Sequence, residues 1–391
     1  MTRMIPARGT AVRSHDSIQF VIVNWNYARF VAKTIRSIAT QTYPNFSCFV
    51  VDNASTDGSL EVIAEAIGDD RRFECIELDE NHGQLGAILE ISPRLAGDYL
   101  GLVDADDYLF PSFAAHHIAV HESLRSPVGV TCSNVVEVDG DDAVLSGRRL
   151  DFTSGDRARQ SRPAEFTDAA LSTDALSDRS LLRDYTTVIS SLPDRWIWSP
   201  GSGNVYRRSF VQRACELVAP AVPRHHASDT LLNEVCHWLS GTALIDVPLS
   251  AYRLHDENVF ASRIRIPGVR GMTRRSIERN RGQRRFIRAA MIRNRSRTRG
   301  WLATEQFWTA FDWIGANSGG LADNADLLEA LTESYDQLAD EFGEIGLARA
   351  LLSRLPHRQF RLIPKGTPNT IKRIKRDLYY RYLFSRKHKS R

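Results

Sequence analysis

The apolar residues of the chain fall into short runs separated by turn chemistry. Ile18–Asn24 (IQFVIVN) is rich in β-branched residues and has the length of a strand buried on both faces. Phe30, Val31, Thr34, Ile35 and Ile38 then recur at helical spacing, which predicts a helix over 29–41 that ends before Pro44. A second strand is expected over 46–51, closing in Asp52-Asn-Ala-Ser-Thr-Asp-Gly58, a run of turn and cap residues. The alternation continues with a helix over 60–67, a strand over 72–78, a helix over 84–96 and a strand over 99–103. Pro111 opens another helix, and 127–138 reads as a fifth strand.

Strands alternating with helices predict βαβ units, and so an α/β fold with a mostly parallel sheet flanked by helices. Residues 139–183 are polar with few apolar runs and read as a long loop or insertion. Trp196 and Trp198 precede a Gly201-Ser-Gly203 turn and a helix from Ser209. A further helix spans 228–239, and a strand over 242–253 runs into Tyr252-Arg-Leu-His255. Beyond 262 the pattern is helical. Residues 323–352 place Leu327, Leu328, Leu331, Leu338, Phe342 and Ile345 at core-facing spacings.

Composition adds exclusions. With 391 residues, 42% hydrophobic and 25% charged, the chain is neither disordered nor collagen-like. No apolar run approaches the roughly 20 residues of a membrane-spanning helix, and Met1–Ser17 lacks an apolar secretory core. Five widely spaced cysteines show no zinc-ligand or redox spacing, so a reduced cytoplasmic chain is expected. The net charge of +4 conceals an asymmetry: residues 262–391 hold 28 Lys and Arg against 12 Asp and Glu, so a basic C-terminal part follows an acidic body. Basic stretches suit a membrane surface, nucleic acid, the acidic body itself or a solvated helical face.

The candidate chemistry lies at strand ends, where ligands sit in open α/β sheets. Asp104-Ala-Asp106 follows a buried strand. Two carboxylates one residue apart can both reach a hard divalent cation such as Mn²⁺ or Mg²⁺, or can form an acidic capping turn ahead of Pro111. Asp52 can accept hydrogen bonds from a ribose hydroxyl or a base imide, while Ser55 to Gly58 read as turn chemistry and N-caps. Asn81-His-Gly-Gln-Leu-Gly86 fails the GxGxxG spacing, and no GxxxxGK[ST] loop is present, which disfavours dehydrogenases and P-loop NTPases.

These pieces, in this order, resemble glycosyltransferase family 2, which has the GT-A fold with a Rossmann-like nucleotide-binding half. Phe20-Val-Ile-Val-Asn-Trp-Asn26 resembles the opening strand of that family, and Ser37-Ile-Ala-Thr-Gln-Thr-Tyr43 the segment after it. Val50-Val-Asp-Asn-Ala-Ser-Thr-Asp-Gly-Ser59 is similar to the strand-end Asp and its turn, Asn81-His-Gly83 to its N-x-G, and Val103-Asp-Ala-Asp-Asp107 to its D-x-D. Gly203–Phe210 resembles the acceptor-side segment, Ser228-Asp229 the catalytic-base position, and Tyr252–Asn258 the late Y-R-x-H-x-x-N. The likeness covers about 18–258. It departs at Val23, where the family usually has Pro, and at Ser228, where an acidic residue is common.

The resemblance implies inverting, metal-dependent sugar transfer from a nucleoside diphosphate donor, with a UDP-sugar expected. Val23, Asn24, Asn26, Asp52, Asn81, Asp104, Ala105 and Asp106 would contact the nucleotide-sugar. Asp106 and His255 would hold Mn²⁺ or Mg²⁺, and Asp229 would deprotonate the acceptor hydroxyl. The Q-x-x-R-W motif of processive synthases is absent, so addition of one sugar or few is expected. The expected organisation is an N-terminal tail (1–17), a GT-A domain (18–261) and a helical, Arg/Lys-rich region (262–391).

Within the last region, Ile371, Ile374, Leu378, Tyr382 and Leu383 share one face of a basic amphipathic segment over 370–384. Such a helix suits an anionic membrane, or packs on the acidic body. The membrane reading implies a lipid-linked or glycan acceptor in bacterial surface polysaccharide assembly, at the inner face of the membrane. Two rivals remain. A sugar nucleotidyltransferase would need a Gly-rich basic loop after the first strand, which Val23–Tyr27 is not. A non-enzymatic polyanion binder using 263–299 would have few aromatics for stacking, so nucleic acid is disfavoured.

Overall fold

The structure, a computed structural model, describes residues 17–150, 161–166, 182, 184–193, 196–219, 227–256, 258, 274–316 and 325–354. It divides into two compact units, one of 1–211 with 235–255 and one of 212–234 with 256–391. The segments 151–160 and 370–384 lie outside the described residues.

The first unit is built on an eleven-stranded sheet ordered β3-β2-β1-β4-β10-β6-β11-β9-β8, with β5 on β11 and β7 on β6. The strands are β1 (Ile18–Asn24), β2 (Phe46–Asp52), β3 (Phe73–Glu77), β4 (Tyr99–Asp104), β5 (Tyr108–Leu109), β6 (Val130–Asp139), β7 (Val144–Ser146), β8 (Arg162–Pro163), β9 (Thr186–Ile189), β10 (Asn204–Arg207) and β11 (Thr242–Leu254). β3, β2, β1 and β4 are mutually parallel, and β6 pairs parallel with β11. β10 runs antiparallel between β4 and β6, so both parallel sets point the same way. The sheet is thus mostly parallel in direction, and helices α1 (Ala28–Ala39), α2 (Ser59–Ile67), α3 (Gly83–Ile91) and α4 (Phe113–Ser123) alternate with its first strands.

The predicted periodicity accounts for the packing. Phe30, Val31, Thr34, Ile35 and Ile38 are the buried face of α1. Phe20 of β1 meets Phe46 at 6.0 Å and Phe113 at 6.3 Å between ring centroids, and Phe46 meets Phe73 at 6.2 Å. Gly101 of β4 lies under the Phe20 ring; a Cβ there would come within 2.7 Å of it, so the close approach requires glycine. None of the five cysteines is in a disulfide.

The second unit is helical. Helices α5 (Arg208–Val218) and α6 (Ser228–Ser240) each contribute to both units, and among the described residues the second unit also holds α7 (Arg274–Arg293), a single turn at Arg295–Thr298, α8 (Thr304–Ala316), α9 (Ala325–Glu333), α10 (Tyr335–Phe342) and α11 (Glu344–Leu352). The helical pattern over 323–352 resolves into three helices, broken at Ser334 and at Gly343 with φ +69°. Each break shifts the phase. Leu327, Leu331 and Leu338 are buried as expected, whereas Ile345 is exposed.

Several arginines of the Arg-rich α7 pair with carboxylates of their own unit. Arg284 pairs with Glu234 at 2.6 Å, Arg285 with Glu278 at 2.8 Å, and Arg293 with Glu333 at 2.7 Å. Just beyond it, fully buried Arg295 donates from Nε to Glu341 at 2.9 Å and lies over the Phe307 ring. These arginines are ion-pair partners within the unit. No helix of the described residues is long and apolar enough to cross a membrane.

Candidate active site

Three adjacent parallel strands end together. In register, Val23 of β1 lies beside Asp104 of β4, and Asn24 of β1 beside Asp52 of β2. Asn24 is fully buried; its Nδ2 donates to Asp52 Oδ2 at 3.0 Å and to Ser55 Oγ at 3.1 Å. Asp52 Oδ1 accepts from the Ser55 N–H at 2.8 Å. Asn26 sits at φ +57°, a conformation its short amide side chain tolerates, donates its N–H to Ser55 Oγ and accepts the Thr56 N–H at 2.7 Å. The turn after β1 is therefore stitched to the turn after β2. Between Asn24 and Asn26 the Trp25 indole stands 50% exposed.

The residues read as simple caps have longer reach. Ser55 binds Asn24 and Asn26 across the two turns, and Asp57 accepts the Ala28 N–H that opens α1 at 2.9 Å. Asn53 Nδ2 donates to Asn81 Oδ1 at 3.0 Å, and Asn81 Oδ1 also accepts the Gly83 N–H at 2.7 Å. Asn81 thus braces the start of α3 against the end of β2.

The turn after β4 carries the carboxylates. Asp104, Asp106 and Asp107 each offer an oxygen within 4.8 Å of the others, a grouping able to hold a cation. Gln84 Nε2 donates to Asp104 Oδ1 at 2.6 Å, and Asp104 takes Ser202 Oγ on its backbone N–H at 3.0 Å. His255 Nε2 meets Asp106 Oδ2 at 2.9 Å, and the imidazole packs on Phe30 and Tyr27. Asp107 is buried, with Oδ2 accepting from Ser202 Oγ at 2.6 Å and Oδ1 from the Arg253 N–H at 2.8 Å. Burial first, and then the neighbouring Asp106 and Asp104, hold the Asp107 carboxyl well above the usual carboxylate range. Three carboxylates beside an imidazole form a donor set suited to a hard divalent ion, and a cation would relieve their mutual repulsion.

Residues 19–180 match the family model described as Glycosyl transferase family 2. This segment is a family 2 glycosyltransferase domain. An uncharacterized glycosyltransferase, alr2836, of Nostoc sp. is 25% identical over 243 residues, 62% of this chain and 66% of that protein. The putative teichuronic acid biosynthesis glycosyltransferase TuaG of Bacillus subtilis is 27% identical over 90 residues, 23% of this chain and 36% of that protein. Both matches span less than two thirds of the relative. Among solved structures, S. aureus TarS 1-349 in complex with UDP-GlcNAc aligns over 89% of this chain and 84% of its own, with 15% identity and a TM-score of 0.43.

The carboxylate turn lies inside the matched segment of the glycosyltransferase domain, and His255 joins it from the end of β11. The expected contact residues Val23, Asn24, Asn26, Asp52, Asn81, Asp104, Ala105 and Asp106 all stand at the ends of β1, β2 and β4 or the start of α3. Asp229 belongs to the other unit, in the first turn of α6. Burial pushes its carboxyl up to about 6, against hydrogen bonds from Thr230 that lower it. Gln84, Ser202 and Arg253 hold the carboxylates of the glycosyltransferase domain, a role that their local motifs in the sequence do not assign. Ser202 lies 95 positions from Asp107, and Arg253 lies 146. The Gly201-Ser-Gly203 turn and the Tyr252–His255 run were visible only as motifs.

Proposed function

We propose that this chain transfers a sugar from a nucleoside diphosphate donor, a UDP-sugar in the first instance, to an acceptor hydroxyl with inversion at the anomeric carbon. The observation that carries the reading is the meeting of Asp104, Asp106 and His255 at the ends of β4 and β11, next to the Asn24–Asp52 pair. Asp52 and Asn24 take the base and ribose side, with Val23, Asn26 and Asn81 shaping the same turn. Asn24 Oδ1 is buried with no hydrogen-bond partner among the described residues, a place for a ligand donor. Trp25 offers an exposed π-face at the same edge, suited to stacking a base.

Asp104 and Ala105 take the ribose and phosphate side, and Asp106 with His255 would hold Mn²⁺ or Mg²⁺. The cation, when bound, supplies positive charge to the departing diphosphate. Asp229 acts as the single base that takes the acceptor proton, which is all that direct displacement requires. A carboxyl held near 6 is mostly ionised at pH 7.5 and still basic enough to accept a proton. The teichuronic acid relative supports an acceptor in bacterial surface polysaccharide assembly.

The test is release of nucleoside diphosphate from a panel of UDP-, GDP- and dTDP-sugars, with Mn²⁺ and with EDTA. Release from one donor class with Mn²⁺, lost in Asp106→Ala, is expected. Equal release by Asp106→Ala would remove the basis of the proposal.

A further inference from the structure

We propose that Arg253 is a positioning residue that sets the shape of the carboxylate turn from behind and anchors it to the β6–β7 turn. The inference rests on the donor-site reading above. Three consecutive carbonyl oxygens of the turn are tied inward. The Thr34 hydroxyl lies 2.8 Å from the Ala105 oxygen and 2.6 Å from the Asp107 oxygen, and Arg253 Nε donates to the Asp106 oxygen at 2.7 Å. The Arg253 backbone N–H takes Asp107 Oδ1 as well. Arg253 thus grips both residues that follow Ala105, one by guanidinium and one by main chain. Arg253 near the end of β11 and His255 just past it are two residues apart, and both reach Asp106, one at its carbonyl and one at its carboxylate.

The far end of the guanidinium is held just as closely. Nη1 contacts the carbonyls of Asp139 and Gly140 at 3.3 Å each and pairs with Asp142 at 2.7 Å. The group is 2% exposed and lies over the Phe30 and Tyr108 rings, at 4.9 and 5.6 Å. A buried guanidinium is costly unless paired and fully bonded, and this one is satisfied only when the carboxylate turn and the 139–142 turn are both in place. The planar fork spans contacts in two directions at once, which the single ammonium of a lysine cannot do. The Arg253 contacts fall on Asp106 and Asp107, the cation side of the donor site.

Calorimetric titration of UDP into the full chain, with Mn²⁺ and with EDTA, tests this in the wild type, Arg253→Lys, Asp142→Asn and Lys33→Ala. Lys33 also pairs with Asp142, at the surface, and serves as the control. The expected result is at least tenfold weaker binding for Arg253→Lys and about threefold for Asp142→Asn, in Mn²⁺ only, with Lys33→Ala unchanged. Asp142→Asn should fold with a lowered melting temperature, since it takes the charge partner from a buried guanidinium; a loss of binding confined to Mn²⁺ separates positioning of the turn from general destabilisation, and this variant decides the matter if Arg253→Lys does not fold. Wild-type binding equalled by Asp142→Asn, and by Arg253→Lys where it folds, overturns the inference alone. So does Lys33→Ala weakening binding as much as Asp142→Asn, since that assigns the effect to surface charge. No Mn²⁺-dependent binding by the wild type overturns the donor-site reading and this inference with it.

Discussion

Replacing Asp229 by Asn should make the protein more stable at neutral pH while abolishing turnover. The folded carboxyl titrates near 6 against 3.8 in an ordinary environment, because burial disfavours its charge. The folded state therefore holds a proton that the unfolded state has lost, and between about pH 4 and 6 stability falls as pH rises. Above pH 6 the cost is complete, and the 2.2-unit difference corresponds to at most about 3 kcal/mol at about 1.4 kcal/mol per unit. At pH 5 the same two constants leave about 1.6 kcal/mol. Asp229 lies in the first turn of α6, where a carboxylate recovers about 0.3–1 kcal/mol from the helix dipole that Asn forfeits.

The net expectation is a gain of about 2 kcal/mol for Asp229→Asn at pH 8, where the folded carboxylate is ionised, and of about 1.6 kcal/mol at pH 5, where it is mostly protonated and the dipole adds little. Urea unfolding of both proteins at the two pH values measures it, with sugar transfer assayed in parallel. A variant no more stable than the wild type at pH 8 would refute the burial argument. One that keeps near-normal turnover would refute the base assignment. Stability gained at the expense of activity is the signature of a group kept for function.

Other outcomes follow from the same geometry. Trp25→Ala should weaken nucleotide binding by about 5- to 150-fold, the worth of one base stack, with no loss of fold, because the indole is half exposed; equilibrium titration checks this. Glu341→Ala, which strands the buried Arg295 guanidinium, should cost about 3 kcal/mol in urea unfolding. Arg293→Ala breaks only exposed pairs and should cost less than about 1 kcal/mol. Burial pushes His121 down to about 3 and His237 to about 4, so the unfolded chain binds more protons below pH 6.5. Stability should accordingly fall as pH drops from about 6.5 toward 4, and His121→Gln should flatten that slope.

The first half of the sheet was legible because its signals are local. Ile18–Asn24, Phe46–Asp52 and Tyr99–Asp104 are continuous apolar runs ended by polar turns, and each is a strand within a residue of the expected bounds. The antiparallel β10 was not foreseen. Asn-Val-Tyr-Arg is four residues long, and its place between β4 and β6 is set by pairing across about a hundred positions rather than by periodicity. The polar stretch after 139, read as loop, still supplies β7 and β8 to the sheet. Asp52 and Asp104 could be located from the rule that ligands gather at strand ends. Gln84, Ser202 and Arg253 could not, since a lone polar residue carries no sign of the carboxylate it will meet. The Arg-rich stretch before residue 300 suggested a polyanion partner because charge counts do not show that Glu234, Glu333 and Glu341 fold back onto it.

The central claim is that the ends of β1, β2, β4 and β11 form a cation-dependent nucleoside diphosphate site. Thermal unfolding with UDP, GDP, CMP and dTDP, each with Mn²⁺ and with EDTA, tests it most directly. A ligand at 100 times its dissociation constant adds about 2.7 kcal/mol to the folded state. Stabilisation by one diphosphate in Mn²⁺, absent in EDTA and absent in Asp106→Ala, is the result expected here. Melting curves that no nucleotide moves, or that move equally in Asp106→Ala, would contradict it.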